Sequence, residues 1–261
     1  MNQAIRAIIK KDIRGVTSNK RLFSTILIMP AILAVLLPSI FIVIIHFTPD
    51  DPDMQKLMQL LPQAAQEQSV ETALAGLLLN SILPLFFLMI PIMAASIMAA
   101  SSFVGEKEKQ TLETLLYCPL PVRQIFRAKV LAAFLLSMVV SLSSFLVILL
   151  VLELEAFFLM GAPLLPGISW VVILLLVSPA VSLIAVTLIV RGSAKAKSME
   201  ESQQGAVFLI LPVILLAAGQ FSGVMLLSVW LLLGLGVLCA VLAWLLLKRA
   251  LGRFTYEMLL K

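Results

Sequence analysis

Long apolar stretches alternate with short polar ones along the whole chain, and this alternation predicts a bundle of membrane-spanning helices. A helix needs about 20 apolar residues to cross a bilayer. The last apolar block, residues 206–247, is too long for one span and divides at the polar residues near position 222. The predicted spans are residues 22–47, 74–103, 130–152, 168–190, 206–221 and 224–247. We therefore predict an all-α polytopic membrane protein whose 261 residues form a single transmembrane domain.

Residues 1–21 predict an amphipathic helix that precedes the spans. Their apolar side chains recur at helical spacing and are Ile5, Ile8, Ile9, Ile13 and Val16. The basic side chains point elsewhere and are Arg6, Lys10, Lys11 and Arg14. A helix with one apolar stripe and one basic face lies in the membrane interface. We therefore predict an interfacial helix, with an ordinary cytoplasmic tail as the alternative.

Prolines, small residues and carboxylates predict how the spans pack and where the third span ends. Prolines such as Pro38 and Pro84 predict a packed bundle, because neighbouring helices must satisfy the carbonyls that proline frees. A patch of small residues within 94–100 favours close approach of helix backbones. Glu153 and Glu155 are expected to end the third span, since a carboxylate at mid-membrane costs roughly 2.5–3.5 kcal/mol.

The distribution of basic residues predicts the orientation of the spans. With both termini in the cytoplasm, 18 of the 19 Lys and Arg residues lie on the cytoplasmic side, and Lys56 alone lies in the outer loop of residues 48–73. The 14 acidic residues divide evenly between the two sides, as expected if basic residues set the orientation. We therefore predict a multi-pass protein of the cell (plasma or inner) membrane.

Composition agrees with a membrane protein and narrows the partners. The chain is 61% hydrophobic and 13% charged, with a mean hydropathy of +1.10, whereas a soluble domain is nearer half apolar and a quarter charged. Lipid must therefore cover much of the surface. The basic residues that give the net charge of +5 lie at the ends of the spans. We therefore predict a lipid bilayer as a partner and no nucleic acid.

Motifs of common catalytic and nucleotide sites are missing from the sequence. It has no G-x-x-x-x-G-K-[ST] phosphate loop, and its one histidine, His46, excludes an H-E-x-x-H zinc motif. Glu200 and Glu201 resemble the paired glutamates of some intramembrane proteases, but a solvated cytoplasmic pair fits their surroundings better. The spans lack mid-bilayer ionisable residues, which ion-coupled transporters usually have. We expect no enzyme activity, catalytic residue, cofactor or metal in this chain, and we expect the energy for any transport to enter from outside the membrane region.

The most informative polar stretch is residues 104–129, between the second and third spans. On a helical wheel its apolar side carries Leu112, Leu115 and Leu116. Its polar side carries Glu106, Lys109 and Glu113. Pro119 and Pro121 end this helix, and a second, basic helical start leads into the third span. These features predict a cytoplasmic coupling helix held between two spans, with a plain positively charged loop as the alternative.

The same stretch resembles the permease subunits of type-2 ABC transporters, the export group. The matching features are a glutamate-rich stretch after the second span, a T-L-E-x-L-L motif, a proline turn and a basic residue that opens the third span. In this chain they lie at residues 106–109, 111–116, 119–121 and 129. The six spans, the basic N-terminus and the polar stretch 198–204 extend the resemblance along the chain. Permeases for sodium and drug export are similar, as are some that are linked to copper-enzyme maturation.

The resemblance implies an export pathway formed by a homodimer or heterodimer of permeases. It also implies a separate ABC ATPase subunit, which binds ATP and docks on the coupling segment. The residues that the resemblance places at this contact are Glu106, Lys109, Thr111, Leu112, Glu113, Leu115, Leu116 and Pro119.

Three other functions stay open at this stage: a stand-alone transporter or channel, an intramembrane enzyme, and a membrane scaffold without an ATPase. His46, Met54 and Met58 lie near the outer mouth, where soft ligands suit Cu(I), although Met at helical spacing more often serves packing. The spans carry no selective polar cluster that would indicate a substrate, so sodium, a drug, a lipid and a peptide all remain candidates.

Overall fold

The computed structural model describes residues 3–48, 70–111, 120–159, 161, 163–193, 196, 198–221 and 228–253. Helix α1 (Gln3–Thr17) precedes six helices that are long and apolar enough to cross a membrane. These are α2 (Lys20–Phe47), α3 (Val70–Glu108), α4 (Val122–Leu159), α5 (Ile168–Ser193), α6 (Met199–Gln220) and α7 (Val229–Gly252). The described residues contain no strand. The predicted all-α class and the six spans are confirmed.

Helix α3 is the central helix of the bundle. It packs against α4 and α5, and α1, α2 and α6 also contact it. In its most apolar 18-residue stretch, 83% of the residues are buried, against 17% in that of α7. This is expected of a helix that is apolar on all sides. The predicted patch of small residues lies in this helix, where Ala95, Ala99 and Ala100 are fully buried. Their small size lets neighbouring backbones come close.

In three of the spans a π-helical turn directly precedes an X-Pro pair. The three turns are Ile32–Leu36, Leu78–Ile82 and Ile173–Val177, and they precede Pro38, Pro84 and Pro179. Proline has no N–H, and its ring collides with the carbonyl four residues earlier, which the wider turn accommodates. In the π turn of α3 the N–H of Leu83 donates to Leu78 O, five residues earlier. The next carbonyl in this register, Leu79 O, is matched with Pro84, which has no N–H to donate. The indole Nε1 of Trp170 donates to that oxygen at 2.9 Å, so a neighbouring helix satisfies the freed carbonyl as predicted.

The ends of α3 and α4 differ from the predicted spans. Helix α3 continues to Glu108, and α4 begins at Val122, so both helices enter the segment 104–129. At its other end α4 runs through Glu153 and Glu155 to Leu159. The two carboxylates were expected to end the span, but the helix does not end there. Glutamate is a good helix former, so a helix can leave the hydrocarbon without unwinding.

Polar contacts link α3 to α2 and to the start of α5, toward the end of the bundle opposite to α1. His46 Nδ1 lies 3.5 Å from Glu71 Oε2 and so connects α2 to α3. Asn80 Oδ1 accepts a hydrogen bond from Gly167 N at 2.5 Å, just before α5 begins. A Cβ atom at Gly167 would lie 2.9 Å from Asn80 Oδ1, so this approach requires glycine. Met54 and Met58, the other members of the suggested copper site, lie outside the described residues.

Candidate functional site

Helix α1 folds back against the bundle. Asn19 separates it from α2, since its side-chain oxygen accepts from two backbone N–H groups in the first turn of α2 and caps that helix. Helix α1 packs mainly against α4 and also contacts α2 and α3. The apolar stripe predicted from the sequence is buried there, at Ile8, Ile9 and Val16. Protein therefore covers much of a stripe that was expected to face lipid, and the place of α1 in a membrane interface stays a prediction.

Asp12 is a buried acidic residue on this apolar side of α1. Ser102 Oγ of α3 donates a hydrogen bond to Asp12 Oδ2 at 2.5 Å. Lys129 Nζ of α4 lies 3.5 Å from the same oxygen. A buried carboxylate is stable only with such partners, so Asp12 fixes how α1 sits against both helices.

Lys129 is the cation at the centre of the site, and its side chain is only 2% exposed. Its Nζ donates to Ser102 O at 2.6 Å and to Ser102 Oγ at 3.2 Å. The same atom lies 2.8 Å from Glu106 Oε2 and forms an ion pair with it. It also lies 5.4 Å from the ring centre of Phe103, within the range of a cation–π interaction.

Glu106 lies in the last turn of α3 and contacts two lysines. Its Oε1 accepts from Lys11 Nζ of α1 at 2.5 Å, while Oε2 faces Lys129. Lys11, Asp12, Glu106 and Lys129, together with Ser102, form what we call the ionic cluster. Its two lysines balance its two carboxylates, and the cluster ties α1, α3 and α4 together.

The start of α6 attaches to the same turn of α3. Glu108 Oε1 accepts a hydrogen bond from Met199 N at 3.0 Å. Ser198 caps α6 by accepting from Glu201 N at 3.1 Å. A Cβ atom at Gly105 would lie 3.0 Å from Met199 Sδ, so glycine leaves room for this contact. Acidic residues in the first turn of α6, such as Glu201, are favoured there by the helix dipole.

Helix α3 ends at a backbone motif centred on Gln110, whose φ of 55° is left-handed. Its N–H donates to Lys107 O at 3.1 Å, and the N–H of Thr111 donates to Glu106 O at 3.0 Å. These are the two bonds of a Schellman motif. The sequence predicted a single helix whose polar side begins with Glu106 and Lys109. Helix α3 stops before Gln110, so it carries only the first part of that side. Glycine usually occupies this position, so the sequence carries no clear signal for the end.

Three of the eight predicted contact residues lie in the described part of the chain. Glu106 is buried in the ionic cluster, whereas Lys109 and Thr111 are exposed. The hydroxyl of Thr111 donates to Glu106 O at 3.3 Å. The five that lie outside the described residues are Leu112, Glu113, Leu115, Leu116 and Pro119. The role of all eight in binding a partner stays a prediction.

Sequence reasoning missed Asp12 and Ser102, and it treated Lys129 only as the residue that opens a span. One signal was present, since Asp12 interrupts an otherwise apolar stripe of α1 one turn from Ile8 and Val16. A carboxylate in that position indicates a buried partner. Within the described residues, no group of three or more His, Cys, Asp or Glu side chains could hold a metal ion.

The model of the ABC-2 type transporter family matches residues 3–222 of this chain. The chain belongs to that family. The match runs from the start of α1 through α6 and includes the whole segment 104–129. Comparisons with curated proteins and with solved structures found no match. This ABC-2 family member is therefore a multi-pass component of a membrane transporter, and the resemblance found in the sequence is confirmed.

Proposed function

We propose that this chain is the permease subunit of an ATP-driven exporter and that a separate ABC ATPase docks on segment 104–129. The family match supports this proposal, because ABC-2 permeases generally pair with an ATPase subunit and dimerise. The missing phosphate loop fits a chain that relies on a partner for ATP binding and hydrolysis. The proposal includes a permease dimer, a location in the cell membrane and both termini in the cytoplasm.

The observation that carries the proposal is the convergence of three contacts on the last turn of α3. Glu106 contacts α1 through Lys11 and α4 through Lys129. Glu108 contacts the start of α6 through Met199. This turn lies within the proposed docking segment, so a force on the segment would move three further helices together with α3.

The energy for such a movement would come from the ATPase. Shifting a two-state gate from 1:99 to 99:1 requires roughly 5.5 kcal/mol of differential binding. ATP binding that closes a docked ATPase dimer would provide it through the coupling segment.

The test is to purify the full chain from the membranes of its own cells in a mild detergent. We expect an ATP-binding subunit to co-purify and the complex to hydrolyse ATP. Glu113→Lys, on the predicted polar side of the coupling segment, is expected to reduce both retained subunit and ATPase activity about tenfold. The matched control is Glu67→Lys, which reverses a charge in the predicted outer loop and should leave both unchanged.

Two results would contradict the proposal. One is full retention of the ATP-binding subunit by the Glu113→Lys variant. The other is a purified chain that lacks such a subunit yet moves solutes across vesicle membranes without ATP, which would favour a stand-alone transporter or channel.

A further inference from the structure

An open groove lies between α1 and Leu135 of α4, on the side of α1 opposite to Asp12. Its volume is about 450 Å³. Its lining consists of Thr17, three basic and three apolar side chains: Arg6, Lys10, Arg14, Ile9, Ile13 and Leu135. We propose that this groove binds one anionic phospholipid, with the phosphate on the basic residues of α1 and an acyl chain along α4. The proposal does not depend on the ATPase partner.

The basic row supplies uncompensated positive charge. Arg6, Lys10 and Arg14 recur every four residues and therefore lie along one side of α1. All three side chains are exposed, and in the described part of the chain none of them forms an ion pair. The acidic residue of α1, Asp12, is bound on the other side of the helix by Lys129. An anion is therefore the ligand that this row fits.

The apolar wall of the groove lies at the level where hydrocarbon begins. Leu135 lies six residues beyond Lys129, or about 9 Å along the helix axis. Residues 130–152 carry no charge, so Lys129 is the last charged residue before the outer end of α4. The groove therefore crosses from the level of charged groups into the level of acyl chains.

An exposed apolar stripe extends the wall toward the middle of the membrane. From Leu135 it continues through Val139, Leu142 and Leu146, which are 64%, 57% and 59% exposed. Their spacing places them on one side of α4. The stripe from Leu135 to Leu146 is about 16 Å long, close to half of a hydrocarbon core of about 30 Å. Its length thus matches an acyl chain in a single leaflet.

A phospholipid accounts for both parts of the groove, which other occupants do not. An acidic surface of a soluble protein would neutralise the basic row but leave the stripe from Leu135 uncovered. A second copy of the chain placed there with two-fold symmetry would bring its own basic row against this one. Each Lys or Arg close to an anionic surface raises the binding constant roughly fivefold, so three residues together support selective binding.

The test is native mass spectrometry of the full chain in a mild detergent. Phosphatidylglycerol and phosphatidylcholine with identical acyl chains are titrated in parallel. We expect the wild-type chain to retain one phosphatidylglycerol with at least about tenfold higher affinity than phosphatidylcholine. Replacing the three groove residues, Arg6, Lys10 and Arg14, by glutamine should abolish this preference. The matched control replaces Lys20, Arg123 and Arg249, three exposed basic residues outside the groove, by glutamine and should keep it.

Several outcomes would overturn the proposal. One is the absence of a wild-type preference, and another is an equal loss of preference in the groove and control variants. Glycerol phosphate or inorganic phosphate bound as tightly as the lipid would show a site for small anions. A dimer that is lost in the groove variant, with lipid binding unchanged, would show that a second copy covers the groove. If the triple variant does not fold, Lys10→Gln alone must lower phosphatidylglycerol affinity roughly fivefold, and unchanged affinity would refute the site.

Discussion

Replacing Lys129 by methionine removes the central cation of the ionic cluster and keeps a similar side-chain length. The cluster then keeps two carboxylates, Asp12 and Glu106, but only one lysine. This is Lys11, whose side chain is 55% exposed. Asp12 loses its cation entirely, although Ser102 still donates a hydrogen bond to it. We therefore expect α1 to open away from α3 and α4 more often.

The size of the effect follows from the distances in the cluster. With an effective dielectric constant of about 20, ion pairs at 2.8 Å and 3.5 Å attract by roughly 6 and 5 kcal/mol before desolvation is counted. Desolvation offsets much of this, and removal of one partner from a buried pair typically costs about 3–5 kcal/mol. Because Lys11 still contacts Glu106, we expect the lower value, about 3 kcal/mol, which raises the open population of α1 roughly 100-fold.

Hydrogen exchange of the α1 amides measures this opening directly. In Lys129→Met these amides should exchange roughly 100-fold faster. Adding Asp12→Asn and Glu106→Gln removes the stranded charges and should restore most of the protection. The control is Arg127→Met, an exposed residue half a turn away, which should leave the exchange unchanged. Unaltered α1 exchange in Lys129→Met, or no recovery in the neutral triple variant, would refute this account of the cluster.

Three further predictions concern backbone packing. Gly236→Val should lower the free energy of unfolding in detergent by about 1–3 kcal/mol, because a Cβ atom there would lie 2.6 Å from Leu176 Cδ2; an unchanged value would mean that α5 and α7 separate easily. Trp170→Phe leaves Leu79 O without its donor and should cost about 1–3 kcal/mol in the same assay, and a neutral effect would mean that water replaces the indole. Gln110→Gly should slow hydrogen exchange in the last turn of α3 by relieving about 1 kcal/mol of left-handed strain, whereas Gln110→Pro should speed it. The same change in both Gln110 variants would contradict the Schellman motif.

Hydropathy and charge were sufficient to predict the class of fold and the six spans. Lipid imposes one dominant constraint, since every backbone polar group within it must be paired inside the protein. The helical period of Ile5, Ile8 and Ile9 likewise predicted α1 before its packing was known. These features are local, so a window of the sequence contains the information that specifies them.

The ionic cluster could not be predicted in this way, because its members come from three separate helices. Asp12 signalled a buried partner, but no local pattern linked it to Ser102 or Lys129. The π turns were hidden for a different reason. Pro38 and Pro84 marked a disturbance in their spans, yet neighbouring packing decides whether a helix kinks, widens or breaks at proline. The end of α3 at Gln110 lacked the glycine that usually marks it.

The ionic cluster also bears on how the chain is built into its membrane. Asp12 and Lys129 are 117 positions apart, so at a synthesis rate of about 5–20 residues per second Lys129 follows Asp12 by roughly 6–23 s. During that interval Asp12 lacks its cation, so α1 cannot dock in its final position while α2 and α3 insert. If α4 entered with the opposite orientation, Lys129 would lie across the bilayer from Asp12 and α1 could not dock. The cluster can therefore form only when the third span has inserted with Lys129 on the same side of the bilayer as Asp12.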